Sequence, residues 1–142
     1  CSLGCTEQYL EILHAYVMDL TYLGSIIVMD DFSYFNEDSA NTVIDSSLIK
    51  GELGGSPQSV TVEVSMARIR MRKGEDILEI LGLNTLEFAY SFYDGESHNV
   101  ALVNRASRTL SARSLHVLRA SDQPRALNLV AAISTAYSKL LR

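Results

Sequence analysis

A cluster of basic side chains in the middle of the chain has the spacing of one strand face. Alternate residues of a strand point the same way, so three guanidinium groups would project together, with a lysine at the turn that follows. Such a cluster suits a phosphoinositide headgroup. The adjoining acids Glu75 and Asp76 favour an ordinary solvated face instead, and both interpretations stay open here. The basic residues are Arg68, Arg70, Arg72 and Lys73.

The histidines and cysteines do not form a catalytic or metal-binding pattern. His14, His98 and His116 are outside any H-E-x-x-H or comparable spacing, and the chain has no G-x-S-x-G elbow or glycine-rich phosphate loop. Cys1 and Cys5 are too few for a disulfide framework or a four-ligand zinc site. We therefore expect no enzyme activity, no cofactor and no metal. His116 alternates with apolar positions, which is typical of a structural residue.

Length and charge limit the classes of protein and partner. The chain has 142 residues, a net charge of -5 and 47% hydrophobic residues, which fits one globular domain and disfavours disorder. Residues 1–64 hold one base and ten acids, whereas residues 65–142 hold eleven bases and seven acids. The overall negative charge therefore does not exclude an anionic partner, because a basic surface of the second half could still meet one. No string of basic and aromatic residues indicates nucleic acid. The absence of a visible signal peptide and the two cysteines favour a cytoplasmic setting.

Hydrophobic periodicity predicts the elements that would position these residues. Period-two alternation predicts a first strand over about 16–29, with Met18, Leu20, Tyr22, Ile26 and Val28 on one face and a bulge or bend at Gly24. In the strand 83–92, one face is expected to carry Leu86, Phe88, Tyr90 and Phe92. Further strands are predicted over 60–66, 69–72, 77–81, 100–103 and 111–120.

Helical spacing predicts three helices. A short one is expected over 6–15. An inserted helix would follow the first strand, with Asn36, Asp38 or Ser39 as its N-cap and Gly51 just past its end. A C-terminal helix of about five turns would begin after Ser121 or Asp122, because apolar residues recur there at three and four.

These elements predict an α+β fold, a pleckstrin-homology-like (PH-like) seven-stranded antiparallel β-barrel or sandwich with an inserted helix and a capping C-terminal helix. Short turns between successive strands favour an antiparallel meander. Curling into a barrel plugged by the last helix would hide the sheet edges. A generic α+β sandwich is the alternative. Residues 1–14 would be an N-terminal extension or short helix, and residues 15–142 the domain.

Four short motifs, in the right order and on the predicted elements, resemble those of the phosphotyrosine-binding (PTB) domain family over roughly Tyr16 to Arg142. They are similar to the family's Tyr-Leu-Gly-Ser/Cys, Ile-Ser-Phe-Ala/Cys, Cys-His-Val-Phe and Ile-Gly-Gln-Ala-Phe signatures. Here they read Tyr22–Ser25, Leu86–Ala89, Leu115–Leu118 and Ile133–Tyr137.

The resemblance implies a protein-interaction module of an intracellular adaptor or scaffold. Such a module binds an Asn-Pro-x-Tyr-like peptide, in a receptor tail or another signalling protein, as a strand added between strand 83–92 and the C-terminal helix. It would work in the cytoplasm, including the inner face of the plasma membrane, and would not bind nucleic acid. The implied peptide-binding residues are Leu86, Glu87, Phe88, Ala89, Tyr90, Ser91, Ile133 and Tyr137.

The resemblance also bears on whether the peptide must carry a phosphate group. Shc-type members carry an Arg three residues before the strand's His, and Arg113 keeps that spacing to His116. An Arg fork suits a phosphate, so Arg113 is the candidate phosphate-binding residue. The position of their second Arg is Ser33 here, in an acidic stretch. We therefore expect peptide binding without a strict need for phosphotyrosine.

Two alternatives stay open beside this interpretation. One is a PH-like phosphoinositide or membrane-targeting module that uses the Arg68–Lys73 face. The other is a structural domain whose groove is occupied by its own chain or by a neighbouring domain.

Overall fold

The computed structural model describes residues 16–29, 36–50, 57–105 and 112–140. The predicted helix over 6–15, Cys1, Cys5, His14, Ser33 and Gly51 are outside the described residues. Within them the chain forms seven strands and two α-helices. In chain order these are β1 (Tyr16–Met29), α1 (Glu37–Lys50), β2 (Gln58–Val64), β3 (Arg68–Lys73), β4 (Asp76–Gly82), a 3-10 turn (Leu83–Thr85), β5 (Leu86–Tyr93), β6 (His98–Arg105), β7 (Ala112–Ala120) and α2 (Gln123–Leu140).

The seven strands form one antiparallel sheet in the order β4-β3-β2-β1-β7-β6-β5. The predicted α+β class, the meander and the two helices at these places are confirmed. The closed barrel is wrong, because β4 and β5 are the two ends of the sheet and do not pair with each other. The 3-10 turn leads directly from one into the other, and α2 contacts β2 as well as β5, β6 and β7. The helix therefore packs against strands from both halves of the sheet.

The inner face of the sheet packs against α2. Asp122 caps this helix, as predicted, because its Oδ1 accepts a hydrogen bond of 2.9 Å from the Arg125 N–H. The buried side chains of α2 recur at three and four residues, which places them on one face. That face is Ala126, Leu129, Ile133 and Ala136. It buries an aliphatic inner core that fixes the position of α2 on the sheet.

The outer face of the sheet packs against α1. Asn36 caps this helix, since its Oδ1 accepts a hydrogen bond of 2.9 Å from the Ser39 N–H. Ala40 and Ile44 of α1 are fully buried in a second core. Aromatic side chains of β5 pack against this second core, namely Phe88, Tyr90 and Phe92. The sheet is thus covered on both faces in its β5–β6–β7 half.

At two bulges, the residues before and after the bulge point to opposite faces of the sheet. The prediction places residues of the same parity on one face, so both bulges correct it. The predicted bulge at Gly24 is confirmed, with φ 128° and a register shift between Tyr22 and Gly24. Because of it, Tyr22 faces the inner core and Ile26 the outer one, although their parity is the same. A second shift between Leu86 and Phe88 was not predicted, and it sends Leu86 to the inner core.

Two smaller differences concern element ends. The predicted strand 83–92 begins only at Leu86, because Leu83–Thr85 form the 3-10 turn. Met66 is exposed in the turn after β2 instead of continuing that strand.

Neither of the two helices that the structure describes has the length and apolar character needed to span a bilayer.

Candidate functional site

A groove runs between β5 and α2. Within the described sheet β5 is an end strand, and it pairs there with β6. The C-terminal half of α2 lies beside the start of β5, and the space between them is a pocket of about 280 Å³. The groove residues are Leu86, Glu87, Phe88, Ala89, Ile133, Ser134, Tyr137 and Ser138. The groove therefore joins residues from two of the four motifs that are far apart in the sequence.

Six of the eight predicted peptide-binding residues line this groove, namely Leu86, Glu87, Phe88, Ala89, Ile133 and Tyr137. Ser134 and Ser138 line it as well, and the sequence interpretation missed them. Their helical spacing was the signal, because Ser134 and Ser138 are four residues apart, as the wall residues Ile133 and Tyr137 are, and residues at this spacing lie on one side of a helix.

Tyr90 and Ser91, which were also predicted, are not among the groove residues. Tyr90 is buried in the outer core, and its hydroxyl donates a hydrogen bond of 2.7 Å to Oδ1 of Asn41 on α1. Burial raises the pKa of Tyr90, and the carboxylates of α1 raise it further. Tyr90 thus ties β5 to α1 and is a structural residue of the strand that carries the groove.

The groove surface combines apolar walls with hydroxyl groups. Ile133 is almost fully buried, so its packing in the inner core fixes the position of the groove wall to which it belongs. Tyr137 is half-buried, while Ser134 and Ser138 on the same helix are exposed. Glu87 is the one charged side chain among the eight groove residues. Such a surface suits an apolar side chain together with neutral hydrogen-bonding groups.

Glu87 is paired with Arg113, the predicted phosphate-binding residue. The Arg113 Nε–H is 2.9 Å from Oε2 and 3.2 Å from Oε1 of Glu87. The two side chains are only 14% and 23% exposed. Arg113 comes from β7, so the pair reaches across β6. The carboxylate of Glu87 therefore already occupies a position on Arg113 that a phosphate would need.

The basic residues of β3 share a carboxylate too, but on the outside of the sheet. Glu63 Oε1 accepts hydrogen bonds from Nε of Arg70 at 2.9 Å and from Nε of Arg72 at 3.1 Å. Arg68 and Lys73 at the two ends of the strand are exposed. The strand face predicted from the spacing is thus formed, with an acid at its centre that the sequence interpretation did not consider.

His116 is buried, in agreement with the prediction of a structural residue. Its Nδ1 is hydrogen-bonded to the hydroxyl of Tyr22 at 3.0 Å. Burial lowers the pKa of His116 to about 4, so the ring is neutral at pH 7. Within the described ranges, no three His, Cys, Asp or Glu side chains are grouped as metal ligands would be.

No family model matches the chain, and no curated protein matches it in sequence. Its function must therefore be inferred from the groove and from the charges around it.

Proposed function

We propose that the chain is a PTB-type protein-interaction module of a cytoplasmic adaptor or scaffold, and that it binds an Asn-Pro-x-Tyr-like peptide in the groove between β5 and α2. One observation carries the proposal. Leu86–Ala89 and Ile133–Tyr137, two motifs that resemble the PTB family, both contribute residues to the same groove. More than forty residues separate the two motifs in the sequence, and the groove is a surface that both of them line.

The fold supports a PH-like assignment. The sheet order is that of a continuous meander joined through the pairing of β1 with β7. One helix is inserted after β1, and the other lies across the inner face at the end of the chain. These are the two places where the predicted PH-like arrangement has helices.

The peptide would bind by β-augmentation. An end strand presents main-chain N–H and C=O groups, to which an extended peptide can add as a further strand. Alternate side chains of the peptide would then point to the same side. A groove of about 280 Å³ has room for an apolar side chain against Ile133 and Ala89, and Tyr137, which also lines it, has a hydroxyl that can bond a polar one.

The proposed peptide needs no phosphate. Arg113 is held by Glu87, and a buried ion pair resists displacement by a further anion. The alternative of a phosphoinositide site on β3 receives less support, because Glu63 neutralises part of the charge of Arg70 and Arg72. Peptide binding in the groove is therefore the function that the geometry favours.

A groove-filling variant tests the proposal. Ser134→Trp puts an indole into the groove from an exposed helix position, so we expect the dissociation constant of a fluorescent Asn-Pro-x-Tyr peptide to rise by about tenfold or more. The matched control is Asn128→Trp, which changes another exposed position of α2 that is not a groove residue. Fluorescence anisotropy gives the constants. Equal binding by both variants would place the peptide elsewhere, and a wild-type chain that does not bind would refute the proposal.

A further inference from the structure

Glu87 has a placement that peptide capture alone does not require. It is the extra residue of the β5 bulge, because Leu86 pairs with Asn104 and Phe88 pairs with the adjacent Val103. A bulge redirects a side chain, and here the carboxylate both lines the groove and reaches Arg113 on β7. The carboxylate therefore lies at the boundary between the groove and the guanidinium group.

Arg113, the partner of Glu87, has a second arginine opposite it in the sheet. Arg113 of β7 is directly opposite Arg105 of β6 in the register. Like charges in opposite positions repel each other, and this repulsion would be destabilising without a counter-charge. Glu87 supplies that counter-charge for Arg113 at 2.9 Å. Without this carboxylate, Arg113 would lose a counter-charge while Arg105 stays opposite it, and an anion in the groove would be opposed less.

The charge of Glu87 decides which groups can approach it. A phosphorylated tyrosine carries about -1.5 to -2 charges at pH 7. A carboxylate beside this charge is unfavourable, and the guanidinium group of Arg113, which could offset it, is already paired with Glu87. A neutral hydroxyl or amide can instead donate a hydrogen bond to a free lone pair of the carboxylate. Such a bond to an ionised acceptor is among the stronger ones that proteins make.

We propose that Glu87 sets the specificity of the groove: it selects a neutral hydrogen-bond donor, such as a tyrosine hydroxyl, and rejects a phosphate by holding Arg113. This inference rests on the proposed function. It adds which chemical group of the partner is recognised and which residue recognises it. The selectivity depends on the charge of a single side chain. Replacing the carboxylate of Glu87 with an uncharged amide should therefore change it.

Glu87→Gln is the direct test, because the amide oxygen can still accept from Arg113 while the charge is lost. Its matched control is Glu96→Gln, which changes the net charge equally at an exposed turn. Fluorescence anisotropy would give dissociation constants for an Asn-Pro-x-Tyr peptide and its phosphotyrosine twin with each protein. Glu87→Asp keeps a carboxylate at the groove, and thermal unfolding confirms that each variant is folded.

For the wild type and Glu96→Gln we expect the unphosphorylated peptide to bind about tenfold tighter or more. In Glu87→Gln the phosphopeptide should gain about tenfold, so that the preference disappears or reverses, whereas Glu87→Asp should retain it. An unchanged preference in Glu87→Gln, with the unphosphorylated peptide still bound, overturns this inference alone. A wild type that prefers the phosphopeptide also overturns it. Absence of binding of both peptides to the wild type overturns the proposed function and the inference with it.

Discussion

The molecule contains two clusters of arginine and glutamate that differ in burial and in balance. In the groove cluster, Arg113 and Glu87 form a pair whose side chains are 14% and 23% exposed. In the β3 cluster, Glu63 is 17% exposed but is shared by Arg70 and Arg72, which are 38% and 35% exposed. The first cluster lies beside a pocket, and the second lies on the outer face of the sheet half formed by β1 to β4.

The difference in burial explains why pairs of arginine and glutamate are expected to affect stability differently in the two clusters. Exposed ion pairs are screened by water and contribute little to stability. A mostly buried pair is costly to break, because the remaining partner keeps its charge without the solvation that it had in the unfolded chain. The proposed selection of a partner by charge therefore depends on the groove cluster, while the β3 cluster is mainly a solvated surface.

The largest expected effect on the free energy of unfolding comes from His116, which is more buried than the side chains of either cluster. His116 has its pKa lowered to about 4 by burial, on the same strand as Arg113. The unfolded chain binds a proton below about pH 6.5 and the folded one only below about pH 4, so stability falls as the pH is lowered between these values. Their separation corresponds to about 3 kcal/mol.

Urea unfolding from pH 7 to pH 4 measures this loss. His116→Gln removes the titrating ring but keeps a hydrogen-bonding side chain near Tyr22, so its loss over the same interval should be smaller by about that amount. The carboxylates are common to both proteins and cancel in the comparison. Parallel pH profiles for the two proteins would show that His116 is not a buried neutral residue.

Breaking the groove cluster is expected to have the next largest effect. Arg113→Met keeps the apolar stem and removes the guanidinium group, which leaves the mostly buried Glu87 without its partner. We expect the free energy of unfolding to fall by about 2 kcal/mol, below the range for fully buried pairs because both side chains retain some exposure. Urea unfolding at pH 7 gives the value. A loss below about 0.5 kcal/mol would mean that the pair is solvated like a surface one.

The smallest effect is expected from the same substitution in the β3 cluster. Arg72→Met leaves Glu63 paired with Arg70, so the free energy of unfolding should change by less than about 0.5 kcal/mol. This variant is the matched control for Arg113→Met, because both replace a strand arginine that bonds a glutamate. A loss as large as that of Arg113→Met would contradict the distinction between the two clusters.

Much of the fold could be predicted from local patterns. The period-two runs, the caps at Asn36 and Asp122 and the bulge at Gly24 each depend on near neighbours in the sequence, and each prediction is confirmed. The bulge at Glu87 could not be predicted in this way. No glycine marks it, and it depends on the pairing of β5 with β6. The open sheet likewise depends on how α2 contacts strands that are distant in sequence.

The candidate site was predicted in its position but not in its charges. Leu86–Ala89 and Ile133–Tyr137 indicated the two walls of the groove, and spacing alone could have added Ser134 and Ser138. By contrast, the pairs Glu87 with Arg113 and Glu63 with Arg70 join residues on different strands. Their partners follow from strand order and register, which a single sequence does not specify.

Chemical-shift mapping can locate the bound peptide, which we propose lies between β5 and α2. A ¹⁵N-labelled chain would be titrated with an unphosphorylated Asn-Pro-x-Tyr peptide and observed at its amide signals. We expect the shifts to concentrate in residues 86–91 and 133–138, with residues 68–73 unchanged. Shifts concentrated in 68–73, or none at all at saturating peptide, would contradict the account.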